Sequence, residues 1–291
     1  MKNIMISIRD KIVQLTPLLT ASERKVGSVI LADYPFSGLN TIHKIAEMSG
    51  VSAPSITRFI NKLGCNGYQS FQQELIAELK ESYRSPVELK STETPASSAH
   101  FLHDYSLRVA KQVQTISSTI TQQQFDSVCA FIEDPSCNIF LLGGRVTDSI
   151  ASLFAIHLRQ IRDRIYHLSS NPEMWPDDVL RMRKRDLVIL FDFRRYQANL
   201  TDLAKVISSQ RKSTIVAVTD RWMSPLSRYA DHVLCIPTEV GTAWDSQVSA
   251  VILIEAMIVQ VSENNWDGTR ERIHQWDDVR LTPPVGSPEK L

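Results

Sequence analysis

Two short, strongly apolar runs constrain the fold most. Residues 187–191 read LVILF and residues 214–219 read TIVAVT, with a helical pattern over 199–210 between them. Short apolar runs rich in β-branched side chains are typical of strands buried on both faces. Two such strands joined by a helix lie parallel, because the helix carries the chain back to the starting edge of the sheet. The second half of the chain is therefore predicted to contain a parallel sheet.

The same alternation of strands and helices extends over residues 103–265. Further strands are predicted at 138–142, 165–168 and 233–236, and helices at 101–118, 122–132, 148–161 and 247–263. Strands separated by helices predict an α/β domain of three layers. Residues 266–291 end in a proline-rich stretch and are predicted to form a C-terminal tail that frays.

Residues 1–80 carry a different pattern, that of an all-α bundle of short amphipathic helices. Thr20 and Glu23 have the spacing of a capping box at the start of one helix. Within 41–63, two helical segments meet at Gly50, as in a helix-turn-helix. Ser52 is predicted to cap the second of them, with Pro54 in its first turn. Residues 81–102, rich in Ser, Thr and Pro, are predicted to form a linker.

The second helix of this pair has an apolar face and a polar face. Ile56 and Phe59 face inward, and recognition helices read bases from the N-terminal part of their outer face. Groove contacts are therefore predicted for Ser55, Thr57 and Arg58. Phosphate contacts are predicted for Lys44, Ser52, Asn61 and Lys62. The pattern alone fits equally well a small helical packing domain, since amphipathic helices joined at a glycine are common.

Composition narrows the class of protein. Lys plus Arg and Asp plus Glu both number 32, so the formal net charge is zero, and a strongly basic nucleic-acid binder is excluded. Residues 1–84 hold ten Lys/Arg against seven Asp/Glu, a local surplus of three. The four cysteines, Cys65, Cys129, Cys137 and Cys235, show no C-x-x-C spacing, which favours free thiols in the cytoplasm and no metal or other cofactor. The longest apolar stretch is too short for a membrane span, so we expect no membrane contact.

Four motifs resemble the N-terminal domain of the RpiR/MurR family of bacterial regulators. They are L-T-x-S-E-R at 19–24, I-x-x-x-A-x-x-x-G-V-S at 42–52, I-T-R-F at 56–59 and K-L-G-x-x-G-Y-x-x-F at 62–71. Segments 186–191, 214–220 and 224–234 are similar to the SIS (sugar isomerase) domain of the same family. The resemblance implies a DNA-binding domain in 1–80, a SIS-like sensing and dimerisation domain in 103–265, a double-stranded operator as partner, and a homodimer or homotetramer.

In open parallel sheets, ligands bind at the carboxyl ends of the strands. The candidate ligand-binding residues follow three predicted strands or precede the last helix: Gly143, Gly144, Arg145, Thr147, Arg194, Arg195, Tyr196, Gln197, Thr219, Ser224 and Ser246. Where SIS domains usually have S-x-S-G-x-T, this chain has D-F-R-R-Y-Q at 192–197. Arginine can bind an anion bidentately there. Alternatively, the loop is structural and Asp192 pairs with an arginine, or the loop packs in a dimer interface. Ser246 fits a helix cap equally well.

The leading hypothesis is a transcriptional regulator whose SIS-like domain senses a small anionic metabolite, a sugar phosphate or a sugar acid. One alternative is a sugar-phosphate isomerase, but the three loops supply no general base, and Glu239 is only the nearest carboxylate. We therefore predict no catalytic residues and no enzyme activity. The other alternative is a ligand-blind dimerisation module. His157, His167 and His232 lack the spacing of a metal site and are expected to be structural.

Overall fold

A computed structural model describes residues 7–91 and 100–280 of the chain. The N-terminal part is the predicted helical bundle, made of α1 (Ile8–Leu15), α2 (Ala21–Ala32), α3 (Ile42–Ser49), α4 (Ala53–Lys62) and α5 (Tyr68–Ser82). Ile12, Ile45 and Phe59 are among the side chains fully buried at its centre. The predicted capping box of α2 is present, with reciprocal bonds between Thr20 and Glu23.

The helix-turn-helix pair forms as predicted, with one difference. Gly50 ends α3 with φ of 63°, a left-handed conformation that a residue with a Cβ rarely adopts. Ser52 precedes α4, but its hydroxyl does not cap the helix and instead lies 3.0 Å from the hydroxyl of Ser55. Pro54 removes one N–H from the first turn, and the Ser55 N–H bonds the Ser52 carbonyl at 2.9 Å. The side-chain cap predicted at Ser52 is therefore wrong.

Four helices connect the bundle to the sheet: α6 (Pro86–Ser91), α7 (Phe101–Gln114), α8 (Ile116–Thr119) and α9 (Gln122–Glu133). The linker predicted at 81–102 thus starts inside α5 and includes a short helix, while 92–99 lie outside the described residues. Ser85 and Glu88 stabilise α6 through reciprocal bonds, the N–H of each reaching the side chain of the other at 2.6 and 3.3 Å.

Five parallel strands form one sheet in the order β2-β1-β3-β4-β5, which confirms the predicted α/β architecture. The strands are β1 (Ile139–Gly143), β2 (Ile165–His167), β3 (Leu187–Asp192), β4 (Thr214–Asp220) and β5 (His232–Ile236). In the register, Leu141 lies opposite Ile189, and Ile189 opposite Val216. The strand order reverses between β1 and β3, so a crevice is expected there at the carboxyl edge.

Helices cover both faces of this sheet. They are α10 (Asp148–Ile161), α11 (Trp175–Arg181), α12 (Ala198–Val206), α13 (Val248–Asn264) and α14 (Trp266–Asp278). Phe154 and Leu253 pack on the face that carries Ile189, and Leu203 and Trp175 on the opposite face. None of the helices in the described parts of the chain is long and apolar enough to cross a membrane.

The segment predicted as a tail from residue 266 is helical as far as Asp278, which corrects that prediction. Asn265 caps α14 by accepting a bond from the Gly268 N–H, and Thr269 is buried. Arg272 pairs with Asp163, beyond the end of α10, at 2.7 Å. These contacts hold α14 in place ahead of the proline-rich stretch on which the predicted fraying rested. Residues 281–291 lie outside the described residues.

Candidate functional site

The N-terminal end of α4 presents a polar, exposed group. The Arg58 guanidinium donates to the Ser55 hydroxyl at 3.0 Å, and Ser52 lies beside Ser55. Thr57 bonds the carbonyl four residues before it, while Lys44 pairs with Glu47 at an exposed site. Arg58 has no ion pair with any described residue. Ser55 and Arg58 therefore lie near the N-terminus of α4 on its polar face, and groove contact by them stays a prediction.

Two other predicted DNA contacts hold the bundle together in this structure. The Lys62 ammonium pairs with Glu23 of α2 at 3.0 Å. The side-chain amide oxygen of Asn61 accepts a bond from the Gly67 N–H at 3.1 Å. Phosphate contacts by these side chains would have to compete with those bonds.

The loop after β1 is a tight turn at the expected crevice. The Gly144 N–H donates to the Thr147 hydroxyl at 2.7 Å, and that hydroxyl donates to the Phe191 carbonyl at 2.6 Å. A Cβ on Gly143 would lie 2.3 Å from the Asp148 nitrogen, so only glycine fits. Because the turn bonds directly to the end of β3, the two strand ends form one unit.

At the position of the expected crevice, the end of β3 and the start of α12 lie directly against the turn after β1. A Cβ on Gly144 would lie 3.4 Å from Gln197 Cδ and 3.6 Å from Asp192 Oδ1. Arg145 is exposed on the same turn. The hydroxyl of Thr219 donates to the Asp192 carbonyl at 2.9 Å. The structure thus brings together predicted residues from two loops and adds Asp192.

Two aspartates are buried at this position. Burial raises the pKa of Asp192 to about 7; a bond donated by the Ser224 hydroxyl at 2.5 Å lowers this pKa, and nearby Asp220 raises it further. Asp220 accepts bonds from the Tyr196 hydroxyl at 2.6 Å and from the Arg194 N–H at 2.5 Å, and burial raises its pKa as well. Ser224 and Tyr196, both predicted to bind ligand, are engaged by these carboxyl groups.

Arg194 faces protein groups on all sides. Its side chain is only 5% exposed and donates to Asp245 at 2.8 Å, to Glu239 at 2.8 Å and to the carbonyl of Glu81 at 2.7 Å. The second oxygen of Glu239 accepts a bond from Arg221 at 3.2 Å. Burial raises the pKa of Asp245 to about 6, although the positive charge of Arg194 lowers it. In this arrangement the donors of Arg194 are occupied by protein groups, and Asp192 bonds Ser224 rather than the arginine that the structural interpretation gave it.

The remaining predicted residues lie on either side of Arg194. Arg195 is exposed, has φ of 69°, and donates its N–H to the Ser82 carbonyl at 3.2 Å. Ser246 is buried and accepts a bond from the N–H two residues later, as a helix cap would. Next to it, Gln247 Oε1 and the Ser249 hydroxyl are buried without a hydrogen-bond partner among the described residues. Unpaired buried polar atoms call for a water or ligand partner.

Sequence reasoning gave no site role to Asp220 or Asp245 and named Asp192 only as a possible partner of an arginine. Asp192 and Asp220 are the last residues of β3 and β4, a position that could have marked them. The Asp245 carboxylate and the main-chain carbonyl of Glu81 gave no local signal, because their common partner, Arg194, is distant in sequence.

Comparison with known proteins places both halves of the chain. The family described as "Helix-turn-helix domain, rpiR family" matches residues 6–82, and the SIS domain matches residues 132–260. An uncharacterised HTH-type transcriptional regulator of Haemophilus influenzae is 25% identical over 91% of this chain and 94% of its own length. The transcriptional regulator RpiR of Escherichia coli K12 is 19% identical over 85% of this chain and 83% of its own length.

Two solved structures share the fold. The sugar isomerase domain of an RpiR transcription factor from Sphaerobacter thermophilus has a TM-score of 0.57 and 15% identity, covering 62% of this chain and all of that one. The NanR protein of Vibrio vulnificus, in complex with ManNAc-6P, has a TM-score of 0.53 and 14% identity, covering 94% of this chain and 97% of that one.

Proposed function

We propose that this chain is a DNA-binding transcriptional regulator controlled by a small anionic metabolite. The proposal is supported by its two domains, a helix-turn-helix domain of the rpiR family followed by a SIS domain. The observation that carries this proposal is the presence in one molecule of an exposed polar helix face on α4 and a parallel sheet whose strand order reverses between β1 and β3, the position at which such sheets bind ligands. The proposal includes a homodimer or homotetramer in the cytoplasm, because paired half-sites require two reading helices at a fixed spacing.

The DNA side of the proposal rests on α4. Ser55 and Arg58 read base edges in the major groove, with Thr57 beside them, while Ser52 and Lys44 contact phosphates. Asn61 and Lys62 join them at the far end of the helix, where duplex phosphates replace Glu23 as the partner of Lys62. Because the whole chain carries no net charge, attraction to DNA comes from this local group of side chains.

Fluorescence anisotropy tests the DNA-binding part of the proposal, with the DNA upstream of the protein's own gene and a random duplex of equal length. We expect tighter binding to the upstream DNA, and Arg58→Ala to lose roughly 5- to 150-fold of that affinity, the value of about 1–3 kcal/mol for one base-reading arginine. Arg181→Ala is the matched control, because Arg181 is 67% exposed on α11, in the other domain. Equal affinity of the wild type for both duplexes at moderate salt would contradict the proposal.

The effector side rests on the crevice between Gly144 and Gln197. Arg145 and Arg195, both exposed on its loops, supply positive charge for a phosphate or carboxylate group. Gly143, Gly144 and Thr147 supply backbone and hydroxyl groups at the start of α10. Sugar hydroxyls need acceptors, and the half-buried Gln197 supplies one, while Asp192 is buried behind it. We propose that Arg194, Tyr196, Thr219, Ser224 and Ser246 support these groups from behind.

The chemistry of the effector follows from these groups, and the ligand of the similar NanR protein, ManNAc-6P, supports a sugar phosphate. Binding alone is proposed, without turnover: Glu239, the nearest candidate base, has both carboxylate oxygens held by arginines. The regulators among the chain's relatives support the same choice.

Thermal-shift and calorimetric titrations with ManNAc-6P, glucose 6-phosphate and gluconate test the effector side. A true effector at 100 times its Kd stabilises the folded protein by about 2.7 kcal/mol. We expect Arg145→Ala to abolish the response, and Arg181→Ala to preserve it. If none of these anions shifts the melting temperature, or if Arg145→Ala responds like the wild type, this part of the proposal fails.

A further inference from the structure

The loop 193–197 has two neighbours, the crevice on one side and the end of α5 on the other. We propose that this loop is a clasp that ties the helix-turn-helix domain to the sheet, so that an occupant of the crevice changes the direction in which α4 points. The inference rests on the proposed function, because it describes how the effector site reaches the reading helix.

The tie to α5 uses groups that a helix end leaves unsatisfied. The last carbonyls of a helix lack intrahelical donors and carry partial negative charge. The Arg194 guanidinium donates to the Glu81 carbonyl, and the Arg195 N–H donates to the Ser82 carbonyl. Ser82 is 1% exposed, so this contact is closed to water. Breaking it leaves the Ser82 carbonyl without the donor that it has in this structure, whereas the Glu81 carbonyl keeps the Arg84 N–H at 3.2 Å. The Ser82 bond therefore makes the docked arrangement specific.

Three further contacts join the same two domains. The Arg228 guanidinium pairs with Asp33 at the end of α2 and lies 4.0 Å from the centre of the Phe36 ring. Met223 packs against the apolar core of the helical bundle. Arg221 reaches Asp10 of α1 at 3.8 Å. The contact surface therefore includes the loops after both β3 and β4.

The reading end of α4 takes no part in these contacts. Among the described residues, Arg58 bonds only to Ser55, and the tie uses α1, the end of α2 and the end of α5. Docking thus fixes the direction of α4 and leaves its polar face open. For a dimer that must match paired half-sites, that direction decides affinity.

The clasp is connected to the crevice through its own side chains. Tyr196 bonds one oxygen of Asp220, and the N–H of Arg194 bonds the other. Gln197, the next residue, lines the crevice opposite Gly144. Arg195 adopts the left-handed conformation between these anchors, a strained choice for arginine that persists only when both sides hold it.

An occupant of the crevice that pushes on Gln197 or Asp192 therefore moves the residues that hold α5. A ligand shifts such an equilibrium only by its difference in affinity for the docked and released states. A bulky side chain inside the crevice should act in the same way, which allows the coupling to be tested without knowing the effector.

The test measures the distance between the domains in the full-length protein. Spin labels are attached at Ser22→Cys on α2 and Gln123→Cys on α9, both exposed positions, while the four native cysteines are buried. Electron–electron resonance should give one narrow distance for the wild type. Arg228→Ala breaks a tie remote from the crevice and should add a population shifted by at least about 5 Å, one helical turn. Arg181→Ala should leave the distribution narrow.

Gly144→Leu tests the coupling, since a Cβ at this position already lies 3.4 Å from Gln197 and 3.6 Å from Asp192, and its nearest neighbours belong to the sheet domain. We expect it to shift the distance as Arg228→Ala does. Ser149→Leu adds the same bulk at an exposed position of α10 and should have no effect. Gln197→Trp fills the crevice from the other wall and replaces Gly144→Leu if circular dichroism shows that variant unfolded.

Two results would overturn the clasp. One is a distance unchanged in Arg228→Ala, and the other is a shift in Arg228→Ala with none in either crevice variant. Anisotropy on the same labelled samples separates this from the proposed function. If the wild type shows no selective DNA binding, the proposed regulator function is refuted. The measured distances would still decide whether the loop 193–197 ties the two domains together.

Discussion

Asp192 provides the sharpest test of how the crevice is built. Its pKa of about 7 in the folded chain compares with 3.8 for an ordinary aspartate, mainly because it is buried. The folded protein therefore holds this proton more tightly than the unfolded chain does. Stability from this group is complete below pH 3.8 and is lost as the pH rises through 7. A difference of about 3 pH units, at about 1.4 kcal/mol each, gives a loss of about 4 kcal/mol.

Asp192→Asn removes the ionisation and keeps the shape. The amide oxygen still accepts one hydrogen bond, and the Ser224 hydroxyl can turn to accept from the amide nitrogen. We expect the variant to exceed the wild type in stability by up to about 4 kcal/mol at pH 8, and to match it within about 1 kcal/mol near pH 4. Urea denaturation followed by circular dichroism at pH 4.5, 6 and 8 measures both differences.

Asp202→Asn serves as the matched control for Asp192→Asn. Asp202 is exposed on α12, close to the crevice in sequence, and its replacement should change stability by less than about 0.5 kcal/mol at every pH. A stability difference between Asp192→Asn and the wild type that is the same at pH 4.5 and pH 8 would refute burial as the source of the raised pKa.

Three further predictions concern local structure. Gly143→Ala should lower the free energy of unfolding by about 3 kcal/mol or more, because its Cβ would meet three backbone atoms within 2.5 Å. Gly144→Ala, with its nearest neighbours at 3.4 Å, should lower it by less than about 1 kcal/mol. Equal melting temperatures of the two variants would contradict this. Thr20→Ala should destabilise the helical bundle by about 1 kcal/mol through loss of the capping box, measured by urea denaturation. Burial raises the pKa of Cys65 and of Cys129 to about 12, so alkylation of the native protein at pH 8, followed by mass spectrometry, should be slow; labelling as fast as in urea would disprove it.

The sequence was most informative where structure is decided locally. The helix over 148–161 follows from apolar spacing after a glycine pair, and α10 has those bounds. Gly50 and the pair Thr20 and Glu23 likewise act within a few residues of themselves. The helix α14 escaped prediction because its contacts with the rest of the domain, the burial of Thr269 and the pairing of Arg272 with Asp163, are tertiary and leave no apolar pattern in the sequence.

The location of the candidate site could be predicted from the sequence, but the hydrogen-bond partners of its side chains could not. Parallel strands end at one edge, so the loops after β1, β3 and β4 had to meet there. The groups that saturate Arg194 come from 113 residues earlier and 51 residues later in the chain, a separation that no spacing rule covers. The loop therefore looked like an open anion site, although in the folded chain its central arginine joins two domains.

Both borders of the sheet are closed to further strands. The outer strand β2 has three residues, so it offers only a short row of free backbone groups. On the other side, the amide of Gln124 bonds the Val233 carbonyl of β5 at 3.3 Å, where an added strand would have to pair. Backbone pairing with a further strand is thereby disfavoured at each border. The proposed homodimer or homotetramer would then rely on side-chain contacts, which can be changed one residue at a time.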